Sequence, residues 1–189
     1  KQIKDFLLFK SRIHDFCKFN KIKGTIIIAE EGVNGTIAGI DQSIKNFELQ
    51  IKKIGFENFN PKYSYSKFMP FFRLKVRPKK EIVTLRTKMA DPENITGNKI
   101  KPENWNNLIT DNNTILIDVR NDFEVEMGSF RGSINPKTKS FTEFKSYLKD
   151  NLSEAKDKKI AMFCTGGIRC EKISSYMIKK GFKNVNQLH

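Results

Sequence analysis

Cysteine, histidine and tryptophan are scarce in this chain, with three, two and one respectively among 189 residues. Cys17, Cys164 and Cys170 are too few, and odd in number, for a disulfide framework. They suit a reducing compartment, so a cytoplasmic protein is expected. The two histidines, His14 and His189, do not cluster with the later cysteines, and the usual four ligands of a zinc site are not assembled. No metal is expected. No apolar run approaches the roughly 20 residues that a membrane-spanning helix needs, so no membrane partner is expected either. The opening residues, from Lys1, read as an amphipathic segment and not as a signal peptide.

What the chain does have is charge and aromatic bulk. Sixteen phenylalanines supply material for real cores, and the formal charge is +14. That charge is uneven. Residues 1–90 hold 19 Lys and Arg against 8 Asp and Glu, and residues 91–189 hold 16 against 13. An AT-rich gene would raise Lys together with Asn and Ile, but it explains the count better than the asymmetry. A basic excess in one half points to a polyanion-binding module joined to a near-neutral partner.

Apolar residues from Ile3 to Phe19 recur at roughly helical spacing, predicting a helix over 3–20. In "GTIIIAEEGVNGTIAG" (24–39), two β-rich runs, Thr25 to Ala29 and Thr36 to Ala38, flank a Gly-Val-Asn-Gly connection that reads as the turn of a hairpin. Ile44, Phe47, Ile51 and Ile54 mark a second amphipathic helix ending near Gly55, and "KYSYSKF" reads as a strand. Helix, hairpin, helix and strand suit an α+β sandwich of ferredoxin-like, acylphosphatase-like type over residues 1–89, with its opening strand expected upstream of Lys1. Residues 90–105, with two prolines, a glycine and few apolar residues, read as a linker. Beyond it, over 106–189, "NTILIDV", "KKIAMFC" and "KNVNQL" alternate with helical stretches, which predicts an α/β domain with a parallel sheet.

In such a sheet, chemistry gathers at the carboxyl ends of the strands. Cys164 ends a predicted strand there, and Thr165, Gly166, Gly167, Ile168 and Arg169 lead into a helix. The glycines let successive N–H groups turn inward as an anion nest at the helix N-terminus, and Arg169 adds positive charge. Both effects favour a thiolate, so Cys164 is expected to be nucleophilic without a histidine base. Cys170 either resolves an oxidised Cys164 or packs on the first helical turn.

The loop from Cys164 to Arg169 resembles the active-site loop of rhodanese-type sulfurtransferases, and "LIDVRNDFEVEMGSFRGSINP" (116–136) is similar to the acidic-x-Arg strand end and glycine-punctuated turn of that family. The resemblance implies that Asp118 and Arg120 brace the loop by ion pairing while Cys164 carries the chemistry. The related dual-specificity phosphatases use a loop one residue longer, so the shorter loop implies a group smaller than phosphate. "GTIIIAEEGVNGTIAG", "FRLKVRPKKEIVTL", "NPKTKSFTEF" and "MFCTGGIRCEK" together resemble the rhodanese-domain tRNA uridine hydroxylases over the whole chain. That likeness implies hydroxylation at C5 of the wobble uridine, with Cys164 essential. It implies dioxygen as cosubstrate, no tightly bound cofactor, and the anticodon loop of tRNA as partner. A persulfide-carrying sulfurtransferase is the alternative. Relatives continue past the final "QLH", so the rhodanese-like domain is expected to be incomplete at its C-terminal end.

Arg73, Lys75, Arg77, Lys79, Lys80, Arg86 and Lys88 fall within sixteen residues, with Glu81 the one acid among them. The first five are the expected RNA-binding residues, since such groups can track phosphates. Phe68, Phe71 and Phe72 precede them. An exposed aromatic could stack on an unpaired base, but the expectation for Phe71 and Phe72 is a place in the core.

Overall fold

The computed structural model describes residues 6–56, 59 and 61–189, with side-chain surroundings described from Leu8 onward. Ile3, the first residue of the expected helical face, lies outside the described residues. The chain divides into two compact units between Ile82 and Val83.

The first unit contains α1 (Phe6–Phe19), β1 (Lys23–Ala29), β2 (Gly32–Ala38), α2 (Asp41–Lys53) and β3 (Leu74–Pro78). Its sheet runs β2-β1-β3, with β1 antiparallel to β2 and parallel to β3. Phe9, Ile13 and Cys17 recur every four residues along α1, forming one apolar stripe. That stripe shares a core with Phe47 and Ile51 of α2, Ile26 and Ile28 of β1, and Val76 of β3. Each such buried side chain contributes about 1.5–3 kcal/mol of transfer free energy. Strand alternation then settles the other face. With Ile26 and Val76 facing the helices, Thr25, Ile27, Lys75 and Arg77, paired in register, lie on the far side.

Two details differ from the sequence reading. The hairpin turn is Glu30–Glu31, and the glycines of Gly-Val-Asn-Gly lie inside β2. Gly35 pairs with Ile26 so closely that a Cβ there would stand 2.1 Å from the Thr25 carbonyl oxygen. Its glycine therefore marks a close backbone approach rather than a turn. "KYSYSKF" is not a strand. It has no ladder partner, all seven residues are exposed, and the Tyr63 hydroxyl instead donates to Glu48 Oε2 at 2.5 Å.

The second unit contains β4 (Asn98–Ile100), α3 (Pro102–Ile109), β5 (Thr114–Asp118) and α4 (Asp122–Val125). After a 3-10 turn (Phe141–Glu143) come α5 (Phe144–Asn151), β6 (Lys159–Phe163), α6 (Ile168–Lys179) and β7 (Asn184–Leu188). The sheet order is β4-β7-β6-β5 and every pair is parallel. Ile160 and Met162 of β6 pack with Phe144, Leu148, Ile173 and Met177 of α5 and α6. Ala161 and Phe163 pack with Trp105 of α3 in a separate cluster. β6 is thus covered on both faces, which explains its continuous apolar sequence.

The expected linker at 90–105 is part of this unit, and so are residues 83–89. Leu85 is fully buried in the core with Ile117 and Phe144. Gly97 donates its N–H to Ser174 Oγ at 2.9 Å and accepts at its carbonyl from Gln187 Nε2 at 3.0 Å. Asp91 donates its N–H to Ser175 Oγ at 2.8 Å. The prolines and polar residues of this stretch disguise a segment fastened by buried side chains of α6 and β7. A Cβ on Gly97 would lie 2.8 Å from the Val185 carbonyl oxygen. Gly97→Ala should therefore cost about 1–3 kcal/mol in urea unfolding, as overpacking does. An unchanged midpoint would show that the segment is loosely held.

Candidate active site

Parallel pairing brings the ends of β5 and β6 level, with Asp118 opposite Phe163. The Val119 N–H donates to the Phe163 carbonyl at 3.0 Å, and Cys164 is the next residue of the chain. The carboxyl edge of the sheet therefore places the cysteine beside the residues that follow β5. Asp118 is fully buried. It accepts from Arg120 Nε at 2.9 Å, from Arg120 Nη2 at 2.6 Å and from Ser129 Oγ at 2.7 Å. Arg120 Nη2 also donates to the Gly128 carbonyl at 2.6 Å, and its guanidinium lies over the Phe163 ring at 5.7 Å. Asp118 and Arg120 thus fix the turn over 128–133 against the end of β6.

The cysteine loop turns on one residue. Gly167 has φ +89°, a left-handed conformation that any other residue adopts only with strain, and it caps α6. That turn aims its N–H at Cys164 Sγ, 3.1 Å away. Hydrogen bonding to the sulfur, from the Cys170 side chain first and then from the N–H groups of Cys170, Gly166 and Gly167, outweighs burial and lowers the Cys164 pKa to about 6. Cys170 moves the other way. Burial first, and then its bond to Cys164, hold its thiol well above the ordinary range.

Arg169, whose charge interacts with Cys164 as expected, also does something the sequence did not suggest. Its Nη1 donates to Glu124 Oε2 at 2.6 Å and its Nη2 to Glu124 Oε1 at 2.7 Å, a bidentate pair. Nη2 also reaches Thr165 Oγ1 at 3.0 Å, and Thr165 Oγ1 donates to Glu124 Oε1 at 2.8 Å. The pair with Glu124 also makes Arg169 a tie that holds the loop down. The Gly167 N–H holds the sulfur directly. Gly166 and Thr165 are exposed, and Ile168 opens α6 half-buried.

Glu124 was not among the expected site residues. It accepts a fourth hydrogen bond, from the Asn121 N–H at 3.1 Å, and these donors, Arg169 first, lower its pKa to about 2. Its signal in the sequence was an Asn-x-x-Glu capping pattern at a short helix, which accounts for the Asn121 bond but not for a partner 45 residues away.

In the first unit, Arg73, Arg77, Lys79 and Lys80 are exposed and Lys75 is half-buried. Lys79 and Lys80 line an open depression with Glu30 and Pro78. Phe71 is half-buried, but Phe72 is 100% exposed, which overturns its expected place in the core. Leu74 and Val76 take the inward positions of β3, leaving Phe72 outside the strand with nothing to pack on. Tyr65 and Phe68 are 89% and 76% exposed nearby in sequence. Among the described residues, no group of three or more His, Cys, Asp or Glu could hold a metal ion, and no helix is long and apolar enough to cross a membrane.

A cysteine in a nest of N–H donors, at the carboxyl end of a parallel sheet, defines a rhodanese-like domain, and residues 101–189 match the family model described as "Rhodanese-like domain". Residues 1–82 match the one described as "UPF0176 acylphosphatase like domain". The two in this order are the architecture of the tRNA uridine(34) hydroxylase family, UPF0176, and the chain belongs to that family. Among solved structures, a rhodanese-related protein from Thermoplasma volcanium is similar at 25% identity, over 48% of this chain and 83% of that one. Its TM-score of 0.38 carries no weight in the assignment.

Glu124→Gln would leave Arg169 without its counter-charge and should cost about 2 kcal/mol in urea unfolding at pH 7, less than for a fully buried pair. Because the folded pKa is depressed, the wild-type advantage is fully present above about pH 4.5 and fades as pH falls toward about 2. Equal stability of the two proteins at pH 7 would show that the pair does not brace the loop.

Proposed function

We propose that the protein hydroxylates C5 of the wobble uridine of tRNA, with dioxygen as oxidant and Cys164 as the catalytic residue. The observation that carries this reading is a cysteine sulfur 3.1 Å from the Gly167 N–H at the start of α6, its pKa lowered to about 6, in a chain with the UPF0176 and rhodanese domain pair. A thiolate can add to C6 of a uracil ring. The electrons displaced by that addition gather at C5, which bonds one atom of dioxygen as a hydroperoxide. Two thiols of a small-molecule reductant take the outer oxygen to water as they form a disulfide, and loss of the C5 proton then expels the Cys164 thiolate and restores the ring double bond. An unpaired anticodon base costs little to bring to such a loop compared with a base in a duplex. The exposed Arg73, Arg77, Lys79 and Lys80, with Lys75, supply positive charge for the tRNA backbone, and the exposed Tyr65, Phe68 and Phe72 offer rings on which loop bases could stack.

A second reading has its own observation in favour. The N–H groups around Cys164 Sγ would equally hold the terminal sulfur of a persulfide, and Gly166 and Gly167 have no atoms within 4 Å of where a Cβ would be. A sulfurtransferase would use that space.

Nucleoside mass spectrometry of tRNA from a deletion strain separates the two. Loss of a 5-oxygenated wobble uridine supports hydroxylation, whereas loss of a thiolated one supports sulfur transfer. Complementation with Cys164→Ser should restore neither, and full restoration would remove Cys164 from the mechanism. Replacing Lys79 and Lys80 with Glu should weaken tRNA binding and flatten its salt dependence, the slope falling by about 0.7–0.9 for each phosphate that is no longer neutralised. Unchanged binding would move the RNA surface elsewhere.

A further inference from the structure

The turn between α1 and β1 carries more charge than the turn itself needs. The Ile22 N–H donates to the Cys17 carbonyl at 2.8 Å and the Lys21 N–H to the Lys18 carbonyl at 3.2 Å. Asn20 gives both its N–H and its Nδ2 to the Phe16 carbonyl. The last carbonyls of the helix are thus satisfied by the backbone and by Asn20, and no lysine is needed to cap them. Lys21 also has φ +54°, the left-handed position at a helix end where glycine is the cheaper residue. A lysine that strains the backbone without capping the helix points to another use for its ammonium group.

Lys18, Lys21 and Lys23 line one open hollow of about 480 Å³ together with His14, Ile22 and Leu74. Lys18 and Lys21 are exposed and Lys23 is half-buried. Among the described residues, none of these three ammonium groups meets a carboxylate. The acid nearest to Lys18 in sequence, Asp15, is taken by His14 Nδ1 and by Ser11 Oγ, each at 3.3 Å. A concave surface lined by unpaired charges of one sign concentrates their field on whatever anion enters it.

The hollow is joined to the basic strand. Leu74, which lines it, opens β3, and Pro78, which closes β3, lines the depression that holds Lys79 and Lys80. The Gly24 N–H donates to the Arg73 carbonyl at 3.1 Å, and the Lys79 N–H donates to the Ile28 carbonyl at 2.8 Å. The path beside β1 therefore runs from 73 to 79, with Arg73, Lys75, Arg77 and Lys79 at every second residue. On a strand that spacing is roughly 6.6 Å. Phe19, next to Lys18, is 87% exposed and offers a face to an unpaired base. A row of cations ending in a hollow on each side suits a chain of phosphodiesters, whereas a single small anion would leave the row unused.

We propose that the hollow at the end of α1 is a second phosphate-binding site for RNA. Lys18, Lys21 and Lys23 hold the backbone near the start of β3, while Lys79 and Lys80 hold it beyond the end. This role rests on the tRNA-binding reading and extends it to three lysines outside the basic run of 73–88.

The test is the binding of labelled tRNA to the full chain, by fluorescence anisotropy over a series of KCl concentrations, with urea unfolding in parallel. Lys18→Gln combined with Lys21→Gly removes two charges, and the glycine relieves the turn. The unfolding midpoint of this variant should stay level or rise. Its tRNA affinity at about 0.1 M salt should drop roughly tenfold, with the salt slope falling by about 0.7–0.9 for each phosphate lost. If the double variant does not fold, Lys18→Gln alone, on exposed helix surface, is read in its place and should show about half that change in slope. A wild-type chain that does not bind tRNA removes the tRNA reading and this site with it. Wild-type binding that the variant matches removes the site alone. Inorganic phosphate is titrated into both proteins as well. A loss confined to inorganic phosphate, with tRNA binding unchanged, makes the hollow a small-anion site and overturns the proposal.

Discussion

A thiolate tucked partly out of water at the end of β6 is the demand around which the second unit is arranged. Removing a charge from water costs several kcal/mol unless donors replace the lost solvent. A charge-assisted hydrogen bond returns about 1.5–3 kcal/mol, so more than one is needed. The Gly167 N–H is aimed at Cys164 Sγ from 3.1 Å. It is so aimed because Gly167 takes a backbone conformation closed to most residues and because α6 starts immediately afterwards. The loop is held in that shape from outside by the Glu124–Arg169 pair, and its neighbouring turn by Asp118 and Arg120. Each brace comes from the segment after β5, which parallel pairing alone sets beside Cys164.

The first unit answers a different demand. Its core is assembled from one face of a small sheet and two helices. On the opposite face β3 presents Lys75 and Arg77 beside Thr25 and Ile27 of β1. Division at Ile82 and Val83 leaves 17 basic against 8 acidic residues in the first unit and 18 against 13 in the second. The asymmetry is therefore milder than an even split of the chain suggests. What distinguishes the first unit is the placement of its charge, along one strand and the turn after it.

Much of this was legible in the sequence, for identifiable reasons. Unbroken apolar runs mark β5 and β6 because both faces of those strands are covered, and the two-glycine loop after Cys164 announces a nest because that geometry requires glycine. What failed were inferences from local composition where a distant partner decides. Asp91 and Gly97 look like linker residues until Ser174, Ser175 and Gln187 are seen to hold them. Gly35 of β2 imitates a turn residue because closeness to the Thr25 carbonyl, like positive φ, excludes a side chain. "KYSYSKF" has the alternation of a strand, but alternation does not supply a neighbouring strand. Glu124 lies in the stretch that resembles the rhodanese pattern, but its ion pair was hidden for the same reason, because its charge partner Arg169 is 45 residues away.

The central claim is that a thiolate at Cys164 directs oxygen onto an unpaired uridine. It is tested most directly by incubating purified protein and unmodified tRNA under isotopically heavy dioxygen, then weighing the wobble nucleoside. The account predicts one heavy oxygen on the uracil ring with the wild-type chain, and none with Cys164→Ser. Oxygen incorporation by the serine variant, or a nucleoside that gains sulfur instead of oxygen, would contradict it.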